Sequence, residues 1–205
     1  MGLWQMVIYI RNPLAKAAFG WGVIVANASA GVLYPTLFFM LLSMSRHFST
    51  FLRRSYFISR FINWDLSQAF HIRMSIVGLF FASLHGIGHL TGTFLYWSKP
   101  AQQDDVAMLL GPDSVPLPCV VYVRSLPGWS GITALGLSWA ISLLSMLFIR
   151  KRSYEIFQLG HLLMFPMIGL LCAHGTAALL QAPMLGYWLA FPAVLVIIER
   201  ANRLL

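Results

Sequence analysis

Two apolar stretches of the sequence contain five of its six histidines. His71, His85 and His89 lie in the first stretch, and His161 and His174 lie in the second. A single histidine inside a membrane helix is most simply explained by a hydrogen bond to a neighbouring helix. Five histidines in two stretches need a joint explanation. Imidazole nitrogens are common ligands of metal ions and of haem iron, which makes cofactor binding the first hypothesis.

The spacing of four of these histidines predicts two levels. At about 1.5 Å per residue, His71 and His85 are about 21 Å apart along a helix, and His161 and His174 are about 20 Å apart. If both stretches cross a membrane in the same direction, His71 is level with His161, and His85 with His174. Each pair could hold one haem iron between two neutral imidazoles, so that electrons cross a hydrocarbon layer of about 30 Å in steps.

Small residues lie between His71 and His85. Ser75, Gly78 and Ala82 follow His71 at helical spacing and lead to His85 on one face. Such a face leaves room for a flat macrocycle. It would equally let two helices pack closely with nothing between them.

The second stretch poses a geometric difficulty. His161 and His174 are 13 residues apart, which is about 140° short of a whole number of turns in a straight helix. Pro166 lies between them and predicts a kink, because proline lacks the N–H group that the helix needs.

The elements that carry these residues are predicted to be membrane helices. The sequence has 205 residues, of which 59% are hydrophobic and 10% charged, and its mean hydropathy is +0.74. Lipid offers no hydrogen-bond partners, so spanning segments must be helical, and we predict one all-α transmembrane bundle over residues 1–205. The first ten residues are too few to span, so residues 1–19 are expected to form an interfacial helix or the end of a spanning helix. Five spanning windows are predicted: residues 20–45, 71–97, 130–149, 156–180 and 186–198.

The distribution of charge predicts the orientation. The net charge is +8, but the basic residues divide ten against four between the two sides of a five-span bundle. By the positive-inside rule, the richer side is cytoplasmic, which puts the N-terminus outside and the C-terminus inside. The charge is therefore explained by topology, and no nucleic-acid partner is expected. The ten residues are Arg46, Arg53, Arg54, Arg60, Arg73, Arg150, Lys151, Arg152, Arg200 and Arg203.

The motifs around the histidines resemble a known family. The runs FHIRM, LHGIGH, SYEIFQLGHLLMF and AHG, with SRHFSTFLR, PGWSG and IIERANRLL, resemble the ferric-reductase-like transmembrane domain of NADPH oxidases. The inner loop and HGTAALLQAP are most similar to dual oxidases. The likeness covers roughly residues 20–205 and implies two b-type haems, His71 and His161 binding the inner one, and His85 and His174 the outer one.

The resemblance also implies partners and a reaction. Electrons would pass from FAD and NADPH, in a cytoplasmic dehydrogenase domain that this sequence lacks, to oxygen on the outer face, giving superoxide or hydrogen peroxide. His89 matches a histidine that lies by the oxygen-reducing site of the family. Asn27 stands where oxygen-reducing members carry an arginine, and an amide stabilises superoxide less than a guanidinium does.

Other functions stay open at this point. Asn27 motivates an alternative acceptor, a ferric or cupric chelate. A hypothesis of another class is a haem-free proton pathway or a structural membrane subunit that acts beside a partner in a larger oxidase. A proton pathway would be expected to place acidic side chains beside the histidines, and no Asp or Glu lies inside a predicted span.

Overall fold

The computed structural model describes residues 1–113, 117–176 and 184–202, and these residues form helices and no strand. This confirms the all-α prediction. Short 3₁₀ turns at Trp64–Leu66 and Pro100–Gln102 and a π-helical turn at Gly88–Thr93 join the α-helices. The α-helices are α1 (Gly2–Ile10), α2 (Pro13–Leu42), α3 (Arg46–Arg53), α4 (Tyr56–Phe61), α5 (Ser67–Ile87), α6 (Phe94–Trp97), α7 (Gln103–Leu110), α8 (Cys119–Arg124), α9 (Leu126–Leu144), α10 (Leu147–Arg152), α11 (Tyr154–Leu162), α12 (Met164–Thr176) and α13 (Leu185–Ala201).

Three helical segments are long and apolar enough to cross a membrane. They match the first, second and fourth predicted windows, and the last of these windows runs beyond the described residues at 177–180. The third window falls on α9 and α10, and the fifth on a shorter apolar helix. The length and apolar composition of these three segments indicate an integral membrane protein. The count of five spans stays a prediction. The three segments are Pro13–Leu42, Trp64–Trp97 and Tyr154–Thr176.

The N-terminal helix packs back along α2. Asn12 begins α2 by accepting a hydrogen bond from the backbone N–H of Ala15 at 3.0 Å, and Pro13 occupies the first turn, where its missing N–H costs nothing. A side chain at Gly31 would place its Cβ 3.0 Å from the Cα of Gly2. The first ten residues thus form a helix, as predicted, and its start lies against the middle of α2.

Helix α2 packs against α5 and, most closely, against the π-helical turn that follows α5. A Cβ at Gly22 would lie 2.5 Å from the Cα of Gly92, so neither position leaves room for a side chain. Gly78 is buried, and a Cβ there would lie 3.5 Å from the side chain of Thr36 on α2. Gly78 thus faces α2 at an ordinary packing distance.

The second histidine-bearing segment is broken near its proline. Helix α11 ends at Leu162 and α12 begins at Met164. Pro166 has no N–H group to donate to the carbonyl of Leu162, four residues earlier, and its ring crowds that carbonyl. The helix is thus interrupted where the sequence predicts a kink, between His161 and His174.

Candidate haem-ligand site

Two of the histidines are anchored on α2. The Nδ1 atom of His85 donates to the carbonyl oxygen of Ala26 at 2.8 Å, and that of His71 donates to the carbonyl oxygen of Met40 at 3.0 Å. The two acceptors are 14 residues apart, as are the two histidines, and they run in the opposite order. Antiparallel packing of α2 on α5 thus gives both histidines the same kind of partner, about 21 Å apart.

The other two histidines are anchored at the two ends of α9. The Nδ1 atom of His174 donates to the carbonyl oxygen of Pro127, in the first turn of α9, at 2.9 Å. The Nδ1 atom of His161 lies 3.2 Å from the hydroxyl of Ser145, which directly follows α9. Both rings therefore contact residues at the ends of α9 despite their 13-residue spacing, and the helix that carries them is interrupted between them at Leu163.

The hydrogen bonds define the tautomer of each ring. A carbonyl oxygen can only accept, so His71, His85 and His174 carry their proton on Nδ1. Ser145 gives its own proton to the carbonyl of Ile141, which leaves its oxygen to accept from Nδ1 of His161. In all four rings Nε2 is then the nitrogen with the lone pair that a metal would take. Histidines that ligate a metal through one ring nitrogen typically donate a hydrogen bond from the other.

The outer pair of rings is held at the distance that a shared metal requires. The ring centres of His85 and His174 are 5.9 Å apart, with their planes at 82°. Metal–imidazole bonds of about 2 Å put the centres of two opposed ligand rings about 6 Å apart. The residues present therefore fit an iron between them.

A glycine makes space for one of these rings. A Cβ at Gly131 would lie 2.9 Å from both Cε1 and Nδ1 of His174, which is closer than side chains approach. Gly131 is one turn after Pro127, the residue that accepts the hydrogen bond of the same ring. The motif PGWSG thus supplies both the acceptor and the space for His174.

His71 and His161 lie at the opposite ends of the same two helical segments, α5 and α11–α12. His71 lies in the first turns of α5, where the hydroxyl of Ser43 is 3.4 Å from its Nδ1 atom. His161 lies in the last turn of α11, with the ring of Phe157 4.5 Å from its own. Within the described ranges, no group of three or more His, Cys, Asp or Glu side chains could hold a bare metal ion. A haem would need only two protein ligands, because the porphyrin supplies the other four.

His89 differs from the four other histidines of the two segments. Its ring lies 4.7 Å from that of His85 and stacks on Phe94 at 5.7 Å. Its Nδ1 atom is buried and has no hydrogen-bond partner among the residues that the structure describes. His89 sits in the π-helical turn Gly88–Thr93, a feature that the sequence analysis missed and that often marks functional sites.

Asn27 lies at the level of the outer pair. It is 7% exposed, it follows Ala26, the acceptor for His85, and its side-chain amide donates to the carbonyl oxygen of Val23 at 2.8 Å. The sixth histidine, His47, is exposed in the loop after α2 and takes no part in this site.

These features define a ferric-reductase-like membrane domain. A family model for the ferric reductase like transmembrane component matches residues 29–172, more than half of the chain, and the chain belongs to this family. It is similar to dual oxidase 1 of Caenorhabditis elegans, with 28% identity over 202 residues that cover 96% of this chain and 13% of that protein. It is also similar to human dual oxidase 1, with 27% identity over 179 residues that cover 85% of this chain and 12% of that protein. The chain thus spans about an eighth of the length of these relatives, and its resemblance to the NADPH oxidase family is confirmed.

Proposed function

We propose that this chain is the transmembrane electron-transfer domain of an NADPH oxidase-like oxidoreductase, and that it binds two b-type haems. The observation that carries the proposal is the shared anchoring of four histidines. Each has its Nδ1 atom on an oxygen acceptor of α2 or at an end of α9, in two levels 14 residues apart on α5. One isolated hydrogen-bonded histidine would not require such a repeat.

The four rings have complementary tasks in this proposal. His85 and His174 hold the outer haem, and His71 and His161 hold the inner one. Haem held by these pairs would supply one-electron transfer, with no change in the charge of any side chain. The carbonyls of Ala26, Met40 and Pro127 orient the rings and raise the basicity of Nε2.

The direction of transfer follows from the distribution of charge. The basic loop after α2 and the basic helix α10 lie at the end of the bundle that carries His71 and His161, which the positive-inside rule places in the cytoplasm. A dehydrogenase domain with FAD and NADPH would deliver electrons there, and the outer pair would pass them to the acceptor. This orientation puts the N-terminus outside and the C-terminus in the cytoplasm.

Molecular oxygen is the first candidate for the acceptor, with superoxide or hydrogen peroxide as the product. His89 lies against His85 and has a buried nitrogen that finds no partner among the described residues, so it can offer a hydrogen bond to a reduced oxygen species at this end. We propose His89 as the residue that positions the acceptor.

A ferric or cupric chelate is the second candidate, and Asn27 is the observation that favours it. The two acceptors are separated by trapping superoxide and following chelate reduction in parallel, with the chain joined to its dehydrogenase domain. If oxygen is a poor acceptor because Asn27 lacks a positive charge, Asn27→Arg raises superoxide formation relative to chelate reduction. An unchanged ratio would show that this position does not select the acceptor.

Electron transfer across a membrane tests the proposal. The purified chain is loaded with haem, reconstituted into lipid vesicles that contain ferricyanide, and supplied with dithionite outside. We expect the trapped ferricyanide to be reduced faster than in empty vesicles, and His85→Ala to return the rate to that background. The matched control is His47→Ala, which alters an exposed histidine and leaves the rate unchanged. Equal rates with and without the protein would contradict the proposal.

A further inference from the structure

The loop between α2 and α5 carries an aromatic and basic surface with nothing packed against most of it. Its residues 46–66, here called the inner loop, form α3, α4 and the 3₁₀ turn Trp64–Leu66. Four aromatic side chains there are largely exposed, with Tyr56 reaching 83%. The same segment holds four arginines against a single acid, Asp65. The exposed aromatic residues are Phe51, Tyr56, Phe57 and Phe61.

The start of the inner loop is fixed to the end of the bundle by a buried carboxylate. Glu199 on α13 is 6% exposed and accepts from the backbone N–H groups of Arg46 at 3.0 Å and His47 at 2.8 Å, and from the hydroxyl of Ser45. The ring of Phe48 packs on Phe191 of α13, with ring centres 6.1 Å apart. The inner loop is therefore a defined surface at one end of the bundle.

A cleft of about 630 Å³ opens on this surface between α3, α4 and the 3₁₀ turn. Arg53 and Arg60 line it together with Asn63 and Trp64. The hydroxyl of Ser59 donates to the carbonyl oxygen of Arg53 at 3.0 Å, which joins the two sides of the cleft. Asp65 is the one acidic residue in the lining, so the side-chain charge of the lining is +1.

Two features of this cleft indicate an anionic ligand. The guanidinium of Arg53 lies 5.5 Å from the ring centre of Trp64, which fixes a cation at the wall. The indole N–H of Trp64 is buried and has no acceptor within the described ranges, a state that proteins avoid unless a ligand or water completes it. Phosphate oxygens suit the two guanidinium groups of the lining, because they accept hydrogen bonds and carry negative charge.

The exposed aromatic rings favour the headgroup of a lipid over a free soluble phosphate as the ligand. Aromatic side chains beside arginines at one end of a helical bundle are typical of segments that lie in the headgroup layer of a bilayer. Phe57 and Phe61 contact each other at 5.2 Å on α4 and remain exposed, so they can enter the lipid next to the cleft. A free soluble phosphate would make no use of them.

We propose that the cleft between α3, α4 and Trp64 is a binding site for the headgroup of an anionic phospholipid. Arg53 and Arg60 contact the phosphate, and Phe57 and Phe61 lie among the acyl chains. The site would fix the inner loop to the anionic leaflet of the membrane. It does not depend on haem binding, so the electron-transfer proposal and this one can fail separately.

Native mass spectrometry of the full chain in a neutral detergent tests the site. Dioleoyl phosphatidic acid is compared with dioleoyl phosphatidylcholine, and glycerol 3-phosphate serves as a probe that has the phosphate without acyl chains. We expect one phosphatidic acid to bind more tightly than phosphatidylcholine. Arg53→Gln and Arg60→Gln should each weaken that binding about fivefold, which corresponds to about 1 kcal/mol per cation.

Arg54→Gln is the matched control, because Arg54 is adjacent, exposed and outside the lining of the cleft. Since Arg54 does not line the cleft, its charge acts only from a distance through screened solvent, and its loss should weaken binding less than about twofold. Three results would overturn the site: an equal loss in Arg54→Gln, equal binding of the two lipids, or glycerol 3-phosphate binding as tightly as phosphatidic acid. The first would show general charge attraction, and the last a phosphate site without lipid.

Discussion

The ring centres of His85 and His174 lie 5.9 Å apart with the ring planes at 82°, although the two residues are 89 positions apart in the chain. Each ring is held from behind by a backbone carbonyl, that of Ala26 for one and that of Pro127 for the other. With Nδ1 of each ring bound to a carbonyl, Nε2 is the nitrogen left to ligate a metal. A histidine pair of this geometry suits an iron porphyrin far better than a bare ion, which would need further ligands.

Removing one ring of a pair should remove one haem. We expect His174→Ala to reduce haem content from about two per chain to about one, because an iron bound by a single imidazole in this site loses half of its protein ligands. His161→Ala should have the same effect at the other level. Pyridine-haemochrome analysis with potentiometric titration measures both, and His47→Ala is the control. Loss of both haems from every single variant would mean that the two levels do not bind independently.

Gly131 should be essential for the outer haem, and Gly136 should not. Gly131→Ala adds a methyl group 2.9 Å from the ring of His174, so the ring must move and its ligation weakens. Changes around a ligand typically lower affinity about 10–100-fold. Gly136→Ala is the control on the same helix, since a Cβ there meets nothing within 4 Å and alanine favours a helix by about 1 kcal/mol. Equal outer-haem occupancy in the two variants would contradict this role.

Ser145 should tune the inner haem. Its hydroxyl oxygen accepts from Nδ1 of His161, which makes the ligand more basic and favours ferric iron. Ser145→Ala removes that acceptor, so we expect the midpoint potential of the inner haem to become more positive and that of the outer haem to stay constant. Potentiometric titration followed by optical spectroscopy separates the two. The control is Ser142→Ala, three residues earlier in α9. A shift of the outer potential alone would be inconsistent with this arrangement.

Glu199 should hold the inner loop in place. Glu199→Gln keeps the shape of the side chain but removes the charge that the N–H groups of Arg46 and His47 meet. Hydrogen bonds to charged groups contribute about 1.5–3 kcal/mol each, so we expect faster cleavage by trypsin after Arg53 and Arg54 in the variant. Glu155→Gln is the control, because Glu155 is exposed. Identical cleavage rates in both variants would show that the carboxylate does not restrain the loop.

Several features were predictable because they depend on spacing and hydrophobicity. The two histidine-bearing helical segments and the break near Pro166 follow from residue types read along one segment. The start of α2 also depends on local residues, since Asn12 caps it and Pro13 fits its first turn, but the predicted span began only at residue 20.

Other features were not predictable because they depend on backbone atoms or on distant partners. The histidines donate to the backbone carbonyls of Ala26, Met40 and Pro127. Because every residue has a backbone carbonyl, the sequence does not show which of them accepts a hydrogen bond. The contact of Glu199 with Ser45 joins residues 154 positions apart. The space at Gly131 could be recognised only once His174 was known to lie beside it.

The haem content of the purified chain, measured together with its electron paramagnetic resonance spectrum, tests the central claim most directly. The account predicts two haems per chain, both low-spin and ligated by two imidazoles, with one lost in His174→Ala and the other in His71→Ala. A folded protein that binds no haem, or that binds it equally well without these histidines, would contradict the account.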